Sequence, residues 1–245
     1  MTHGSIRELK DMTSECNHSN VLSLRGAVLS GLGAMLLAGA TAWVGGARAE
    51  DVPLGLFSGQ VDVGAPENAG SGNYDATSGR YVLHGSGANM WGAHDEFHFV
   101  WRKVQGDFVL KARLVLSGPG VEAHRKAGLM VRASLDTAAP YVDGVIHGSG
   151  PAMLQSRPGI GADGKMMPMG IPDADFVQIE RRGDTYVVSA SKQGGPFERR
   201  ELAQVELGKE VYVGLFVCAH NAQVVEEADF WDVQLVVPGQ PGASR

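Results

Sequence analysis

The strongest constraint in this 245-residue sequence is the alternation of residue types between positions 95 and 114. Three aromatic residues, Phe97, Phe99 and Trp101, share one side of this stretch, and mostly polar residues lie on the other. A two-residue period with aromatic residues on one side is typical of a half-buried β-strand with its aromatic side toward the core. The period resumes after a glycine-containing turn at 105–107, so the sequence predicts a β-hairpin here.

Short strands separated by glycine-rich turns continue along the chain. A second hairpin is predicted over residues 176–191, and residues 210–218 form an apolar run typical of a strand buried on both faces. Residues 158–175 contain Gly, Pro and Met without a period and predict a mobile loop. About ten strands without a convincing amphipathic helix indicate an all-β, antiparallel two-sheet β-sandwich or jelly roll.

The N-terminal segment has the features of an export signal. Arg25 precedes a 19-residue run of small and apolar residues, and the segment ends in an Ala-x-Ala pattern at Ala49. These features predict a secretory signal peptide that is cleaved after Ala49, which makes the protein periplasmic or extracellular. An uncleaved membrane anchor is the alternative. Both Met1 and Met12 are compatible with the start of this signal.

The domain organisation follows from this signal. We predict a signal peptide at 1–49, a β-sandwich domain at 50–237 and a disordered tail at 238–245. Cys16 falls in the signal, so the exported part has only Cys218 and no internal disulfide. Cys218 ends an apolar run and is predicted to be a buried thiol.

Charge and composition limit the partners. Residues 50–245 contain 17 basic and 24 acidic residues, a net charge of −7, and no basic cluster in the sequence. This balance argues against nucleic acid and against an anionic membrane surface after the signal is removed. It leaves a protein partner open.

Several short strings occur together in an order that resembles a known group of modules. They are a G-x-G-x-x-x-W-G turn at 85–92, Asp-Glu-Phe at 95–97, Gly-Asp-Phe at 106–108, KAGLMVR at 126–132 and Ala-His-Asn at 219–221. The combination resembles the concanavalin A-like lectin/glucanase jelly-roll modules of unknown function found in exported bacterial proteins. The resemblance implies a lectin-like sandwich and a role near polysaccharide, without an established catalytic set.

Catalytic constellations are weak in this chain. A glycoside hydrolase needs two carboxyl groups about 5–10 Å apart. Asp95 and Glu96 are neighbours and point to opposite faces if both lie in a strand. His94 and His98 would lie about 13 Å apart along a strand, too far for one metal ion. No catalytic residue is therefore predicted, although Asp95, Glu96 and His98 would be the first suspects in a glycoside-active enzyme.

A binding face has more support than a catalytic site. Sugars are held by an aromatic platform together with planar hydrogen-bonding side chains. The polar or aromatic residues predicted to form a ligand-binding face are Trp91, Glu96, His98, Arg132, His147, Gln155, Arg157, His220 and Asn221. The two arginine forks suit carboxylates and hence acidic sugars, but an internal ion pair, with Glu96 as one partner, is equally compatible. For Trp91, a turn-packing role is favoured over a platform for sugar.

These observations predict a non-catalytic module that binds a carbohydrate or another cell-envelope polymer. The alternatives are a glycoside-active enzyme of the lectin/glucanase fold and a structural scaffold for protein interaction. No cofactor is predicted. A structural calcium ion is an additional option, because the acids Asp62, Asp75, Asp95 and Asp232 lie near predicted turns.

Overall fold

The computed structural model describes residues 54–239, which form fourteen β-strands and no helix. The predicted signal peptide and its cleavage site, and all but the first two residues of the predicted tail, lie outside this range. The strands are β1 (Gly59–Val63), β2 (Ser71–Asp75), β3 (Arg80–Gly85), β4 (Phe97–Gln105), β5 (Phe108–Leu116), β6 (Lys126–Arg132), β7 (Tyr141–His147), β8 (Pro151–Arg157), β9 (Lys165–Pro172), β10 (Phe176–Arg182), β11 (Thr185–Ser191), β12 (Glu198–Leu202), β13 (Glu210–Cys218) and β14 (Glu226–Val236).

The strands build two seven-stranded antiparallel sheets. Sheet A has the order β1-β4-β13-β6-β7-β8-β9, and sheet B has the order β12-β11-β10-β5-β14-β3-β2. Together they form the predicted all-β two-sheet sandwich, and the fold class is confirmed. Between residues 54 and 239, no helix is long and apolar enough to span a membrane.

The predicted hairpin over 95–114 is wrong, whereas the later one is confirmed. β4 pairs with β1 and β13 in sheet A, and β5 pairs with β10 and β14 in sheet B. The turn between β4 and β5 therefore joins the two sheets rather than two neighbouring strands. Alternation reports which face of a strand is buried but not which strand pairs with it. β10 and β11 do pair directly, from Phe176 opposite Ser191 onward.

Sheet A is buried on both faces. Its inner face packs against sheet B through residues such as Val100, Leu129 and Leu215. Its outer face carries a second apolar cluster, formed by Val63, Met90, Phe97, Phe99, Met130, Tyr141, Val145, Met153, Phe216 and Cys218. The aromatic side of β4 is thus buried as predicted, but away from sheet B.

Residues 86–96 supply part of the cover over this outer face. Met90 is fully buried, and its carbonyl accepts a hydrogen bond from the Tyr141 hydroxyl at 2.9 Å. The thiol of Cys218, buried as predicted, lies 3.3 Å from the Glu96 carbonyl. Through these two contacts, the segment that precedes β4 is attached to β7 and β13.

The segment predicted to be a mobile loop contains a strand. β9 pairs with β8 at the edge of sheet A, with Met167 opposite Leu154 and a register irregularity between Pro151 and Met153. Proline cannot donate a ladder hydrogen bond and is tolerated at a sheet edge. The prolines of β9 are therefore compatible with an edge strand, although in the sequence they favoured a loop.

Gly214 provides a test of the packing inside sheet A. It lies in β13 between β4 and β6, and a Cβ atom there would meet the Val100 carbonyl oxygen at 1.9 Å. We expect Gly214→Ala to lower the free energy of unfolding by about 1–3 kcal/mol through overpacking. Urea unfolding measures this loss. Gly92→Ala is the control, because a Cβ there meets nothing within 4 Å, and equal stability of the two variants would contradict the prediction.

Candidate functional site

Alternation along β6, β7 and β8 places two sets of polar residues on the outer face of sheet A. Arg132 and Arg157 lie at the end of the face that residues 86–96 cover. Lys126 and His147 lie opposite each other at the other end. The outer face therefore has an arginine end and a histidine end, with different chemistry.

The arginine end is a buried ion triad centred on Asp95. Arg157 donates to both carboxylate oxygens of Asp95, with Nη1 2.8 Å from Oδ2 and Nη2 2.5 Å from Oδ1. Arg132 Nη2 lies 3.2 Å from the same Oδ2. All three side chains are fully buried. The alternative of an internal ion pair thus describes both arginines, with Asp95 in place of Glu96 as the partner.

Backbone carbonyls satisfy much of the remaining donor capacity of this triad. Arg132 Nε donates to the Ser134 carbonyl at 2.6 Å, and Arg157 donates to the carbonyls of Ala139 and Ala162 at 3.0 and 3.1 Å. The guanidinium groups also lie over the rings of Phe97 and Tyr141. The structure therefore leaves neither arginine exposed to a ligand.

The histidine end contains what we call the polar cluster: Lys126, Asp143, His147 and Gln155 from strands β6 to β8, with His124 and His220 from adjoining loops. Asp143 faces Gln155 across the β7–β8 pair. Gln155 Nε2 is 3.5 Å from His147 Nε2. If the amide donates in this contact, the histidine proton resides on Nδ1. Three neighbouring strands thus bring carboxyl, amide, imidazole and ammonium groups together.

Several buried polar atoms of this cluster have no hydrogen-bond partner among residues 54–239. They are both carboxylate oxygens of Asp143, Oε1 of Gln155, and Nδ1 of His147 and His220. Asp143 and Gln155 are only 0% and 2% exposed. Buried polar groups in native proteins are nearly always hydrogen-bonded, so a group of exceptions in one place requires an explanation.

Burial shifts the protonation of these groups. Burial raises the pKa of Asp143 to about 7, although nearby Lys126 and the dipole of the Gln155 backbone N–H, which does not reach hydrogen-bond geometry, act in the opposite direction. Burial, assisted by Lys126 and His124, lowers the pKa of His147 well below its usual value and that of His220 to about 4. At neutral pH both imidazoles are therefore uncharged, and Asp143 is partly protonated.

The loop after β13 positions His220. Its φ of 56° lies in the left-handed region, which few residues other than glycine adopt. Its ring packs edge-on against His124 with 5.3 Å between ring centroids. Asn221, also predicted to contact ligand, donates to Glu122 Oε1 at 3.0 Å and accepts the Gln223 backbone N–H at 2.9 Å. Asn221 therefore holds the loop in place.

The structure does not bring the other predicted binding residues to the polar cluster. Trp91 packs against Gly164, as the turn-packing alternative required. Glu96 accepts the Ala88 backbone N–H at 2.9 Å. His98 lies on the other side of β4 from Phe97 and Phe99, where it contacts Asp62 at 2.7 Å and Gln60 at 3.0 Å.

The four acidic residues predicted as possible calcium ligands, Asp62, Asp75, Asp95 and Asp232, do not form a common site either. Asp62 accepts the Gly70 backbone N–H besides contacting His98, Asp75 accepts hydrogen bonds within its own turn, and Asp95 binds two arginines. Asp232 is exposed. Over residues 54–239, no group of three or more His, Cys, Asp or Glu residues could hold a metal ion.

Sequence reasoning missed Lys126, His124 and Asp143. One signal was available for Asp143, because it shares a strand face with His147 in the alternating string YVDGVIH. For Lys126 and His124 the sequence offered no signal. Their approach to His220 depends on the pairing of β6 with β13.

Open space lies beside one member of the polar cluster, His147. A cavity of about 250 Å³ is lined by His147, Ser149 and Lys192, among others. A wider depression of about 500 Å³ shares Gly150 and Asp173 with it. Solvent-accessible space therefore reaches His147, which is itself partly exposed.

Comparisons with known proteins identify the fold rather than a family. No protein-family model matches the sequence, and no curated protein matches it. A functionally unknown protein from Saccharomyces cerevisiae is similar in structure over 74% of this chain and 97% of its own, with 18% identity and a TM-score of 0.55.

Two further structures are similar at lower scores. Lectin II from Ulex europaeus matches 72% of this chain and 96% of its own, with 10% identity and a TM-score of 0.47. The alginate lyase from Klebsiella pneumoniae matches 69% and 85%, with 14% identity and a TM-score of 0.42. At TM-scores below 0.5, neither similarity bears on the function of this chain. The chain thus shares a two-sheet jelly-roll sandwich with the yeast protein, and its function must be argued from its own residues.

Proposed function

We propose that this protein is a non-catalytic carbohydrate-binding module and that its ligand site is the polar cluster at the histidine end of sheet A. One observation carries the proposal: unpaired, buried hydrogen-bonding atoms of Asp143, Gln155 and His147 occur together on adjacent strands. A ligand that supplied the missing partners would remove the free-energy penalty of leaving these atoms unpaired, about 1–3 kcal/mol for each group.

A sugar suits this set of side chains. Vicinal hydroxyl groups both donate and accept, and the cluster offers acceptors on Asp143 and Gln155 beside a donor on His147. Met153 and Val145 supply apolar surface on the same face. Ligand sites commonly combine an apolar lining with a few directional polar groups. His147 and His220 are partly exposed, so solvent reaches both side chains.

A glycoside-active enzyme has less support. Of its first suspects, Asp95 is held in the buried arginine triad and His98 lies on the other face of its strand. Asp143 is the one carboxyl group within the proposed site, whereas glycoside hydrolysis requires two. The filled arginine end is, however, what a structural scaffold would show, so the scaffold remains the competing proposal.

We also propose that the ligand lies outside the cytoplasm. This part of the proposal rests on the predicted signal at 1–49. An exported module with this site would bind a glycan or another polymer of the cell envelope. Fractionation of cells that produce the full chain, followed by N-terminal sequencing, tests export and cleavage after Ala49. Full-length protein retained in the cytoplasm would contradict it.

Calorimetric titration of the full chain against neutral and acidic oligosaccharides tests the binding proposal. We expect saturable heat with at least one ligand class and at least about tenfold weaker binding in Gln155→Leu, which removes the amide but keeps the side-chain size. Gln178→Leu is the matched control, because Gln178 lies on β10 in sheet B.

Each outcome of the titration supports or contradicts one of the proposed functions. Heat that is lost in Gln155→Leu but kept in Gln178→Leu supports the site. Unchanged binding by a folded Gln155→Leu protein would move the ligand elsewhere. No heat with any sugar would favour the structural scaffold over the binding module. New reducing ends formed during the titration would show that glycosidic bonds are cleaved and that the protein is an enzyme.

A further inference from the structure

The histidines of residues 54–239 divide into two groups by their partners. His84, His94 and His98 each lie within ion-pair distance of a carboxylate, namely Glu227, Glu96 and Asp62. Within the same range, His124, His147 and His220 make no such pair. The three unpaired histidines all belong to the polar cluster, which also contains Lys126.

Lys126 likewise has no close ion-pair partner among residues 54–239, and Asp143 interacts with it only at longer range. Lys126 is only 4% exposed, and no carboxylate of the described chain lies within 4 Å of its ammonium group. The Lys126 side chain is largely buried and its ammonium group has no close carboxylate, so an anion from outside the chain would stabilise its charge. A basic set on an acidic protein therefore points to a negatively charged group from outside the chain.

We propose that the ligand carries an acidic group that binds among Lys126, His124, His147 and His220. This inference rests on the proposed function and specifies its ligand class: a glycan with carboxylate or sulfate groups. The hydroxyl groups of the same glycan would pair with Asp143 and Gln155, which present the unpaired buried atoms. The acidic group would take the place that a carboxylate takes beside the other three histidines.

The charged surroundings set how binding depends on pH. Around the basic set lie Asp143 on β7, Glu122 and Arg125 in the loop before β6, and Cys218 at the end of β13. Arg125 faces Glu226, and Glu122 accepts a hydrogen bond from Asn221. Lys192, Asp173 and Asp175 line the cavity beyond His147. Of these acids, Asp143 acts on Lys126 and Glu122 acts on His220.

Acidification should strengthen binding for two reasons. An anion near His147 and His220 favours their protonated forms, so binding takes up protons. Protonation of Asp143 also removes the negative charge that would repel the ligand. Affinity for an acidic glycan should therefore rise as the pH falls, whereas affinity for a neutral glycan should not gain from this charge.

The experiment measures binding to the full chain by calorimetry at about pH 5.5 and about pH 8. The probes are an oligogalacturonate, a sulfated oligosaccharide, a neutral oligosaccharide of equal length, and inorganic sulfate. We expect about tenfold tighter binding of an acidic probe at the lower pH, with proton uptake visible as a dependence on buffer ionisation enthalpy. The carboxylated and sulfated probes distinguish the two sources of charge.

Variants locate the effect. Lys126→Met and His147→Gln should each weaken binding of the acidic probe about tenfold and reduce the proton uptake. His94→Gln is the matched control, because His94 is exposed and lies next to Glu96 outside the cluster. Circular dichroism of every variant checks that it is folded.

The outcomes separate this inference from the proposed function. Equal binding of neutral and acidic sugars, still lost in Gln155→Leu, would overturn the acidic group and leave the carbohydrate site standing. Binding of inorganic sulfate but no sugar would overturn the carbohydrate function and support the anion site alone. Acidic-probe binding that folded Lys126→Met and His147→Gln proteins retain would overturn the assignment to this cluster.

Discussion

Replacing Asp95 by Asn should lower the free energy of unfolding by about 3–5 kcal/mol, the range found when one partner of a buried ion pair is removed. Asp95 is the carboxylate that compensates both Arg132 and Arg157, and all three side chains are fully buried. The substitution would leave two guanidinium charges inside the protein with carbonyl acceptors alone. Asn keeps the size of the side chain, so the loss reports charge rather than a cavity.

Urea unfolding followed by tryptophan fluorescence measures this loss. The control is Glu210→Gln, because Glu210 and Lys103 form an exposed ion pair on sheet A. Its unfolding midpoint should stay close to that of the unmodified protein, since exposed pairs stabilise proteins little. A change of less than about 1 kcal/mol in Asp95→Asn would contradict the role assigned to the triad.

The second large effect is a pH-dependent difference in stability between the unmodified protein and Asp143→Asn. Burial raises the pKa of Asp143 from 3.8 to about 7, so the folded state holds this proton more tightly than the unfolded state. The stability that Asp143 contributes is present below about pH 4 and is lost as the pH rises to about 7. At about 1.4 kcal/mol for each pKa unit, the loss approaches about 4 kcal/mol.

The comparison with Asp143→Asn isolates this group. The lowered pKa values of His147 and His220 act in the other direction, because their stabilising contribution is lost as the pH falls below about 6.5. The Asn variant retains both histidines, so their effect cancels in the difference. Unfolding free energies should be measured from acidic to mildly alkaline pH. The unfolding free energy of the unmodified protein, relative to that of Asp143→Asn, should decrease as the pH rises.

Lys126 supplies the control for that measurement. It is the largest influence that opposes the raised pKa of Asp143. In a Lys126→Met background, the difference between Asp and Asn at position 143 should extend to higher pH. A difference that is constant across the whole pH range would show that Asp143 is not buried as described.

Local patterns in the sequence were enough for features that depend on near neighbours. The β10–β11 hairpin follows from two alternating strands around one turn, and it pairs as predicted. The apolar run that became β13 was predicted to be buried on both faces, and it lies inside sheet A between β4 and β6. Period, turn residues and hydrophobicity are properties of adjacent residues. They can therefore be recognised without knowing which strands pair.

Other features depend on which distant segments meet. The same alternation in β4 and β5 suggested a hairpin, yet the two strands lie in different sheets. Proline obscured β9 because a missing N–H excludes a central strand but not an edge strand. The sequence showed two arginines suited to a carboxylate, and the fold supplied that carboxylate from Asp95.

The all-β class, the alternating faces and a polar set that included His147, Gln155 and His220 could be predicted from residue order alone. Which polar side chains lack a partner among residues 54–239 depends on how distant strands and loops meet in the fold. Arg132 and Arg157 pair with Asp95, whereas no carboxylate of residues 54–239 lies within 4 Å of Lys126 or of the three clustered histidines. The charge and the hydrogen-bond donors of a side chain follow from its residue type, whereas its partners follow from strand pairing and loop closure.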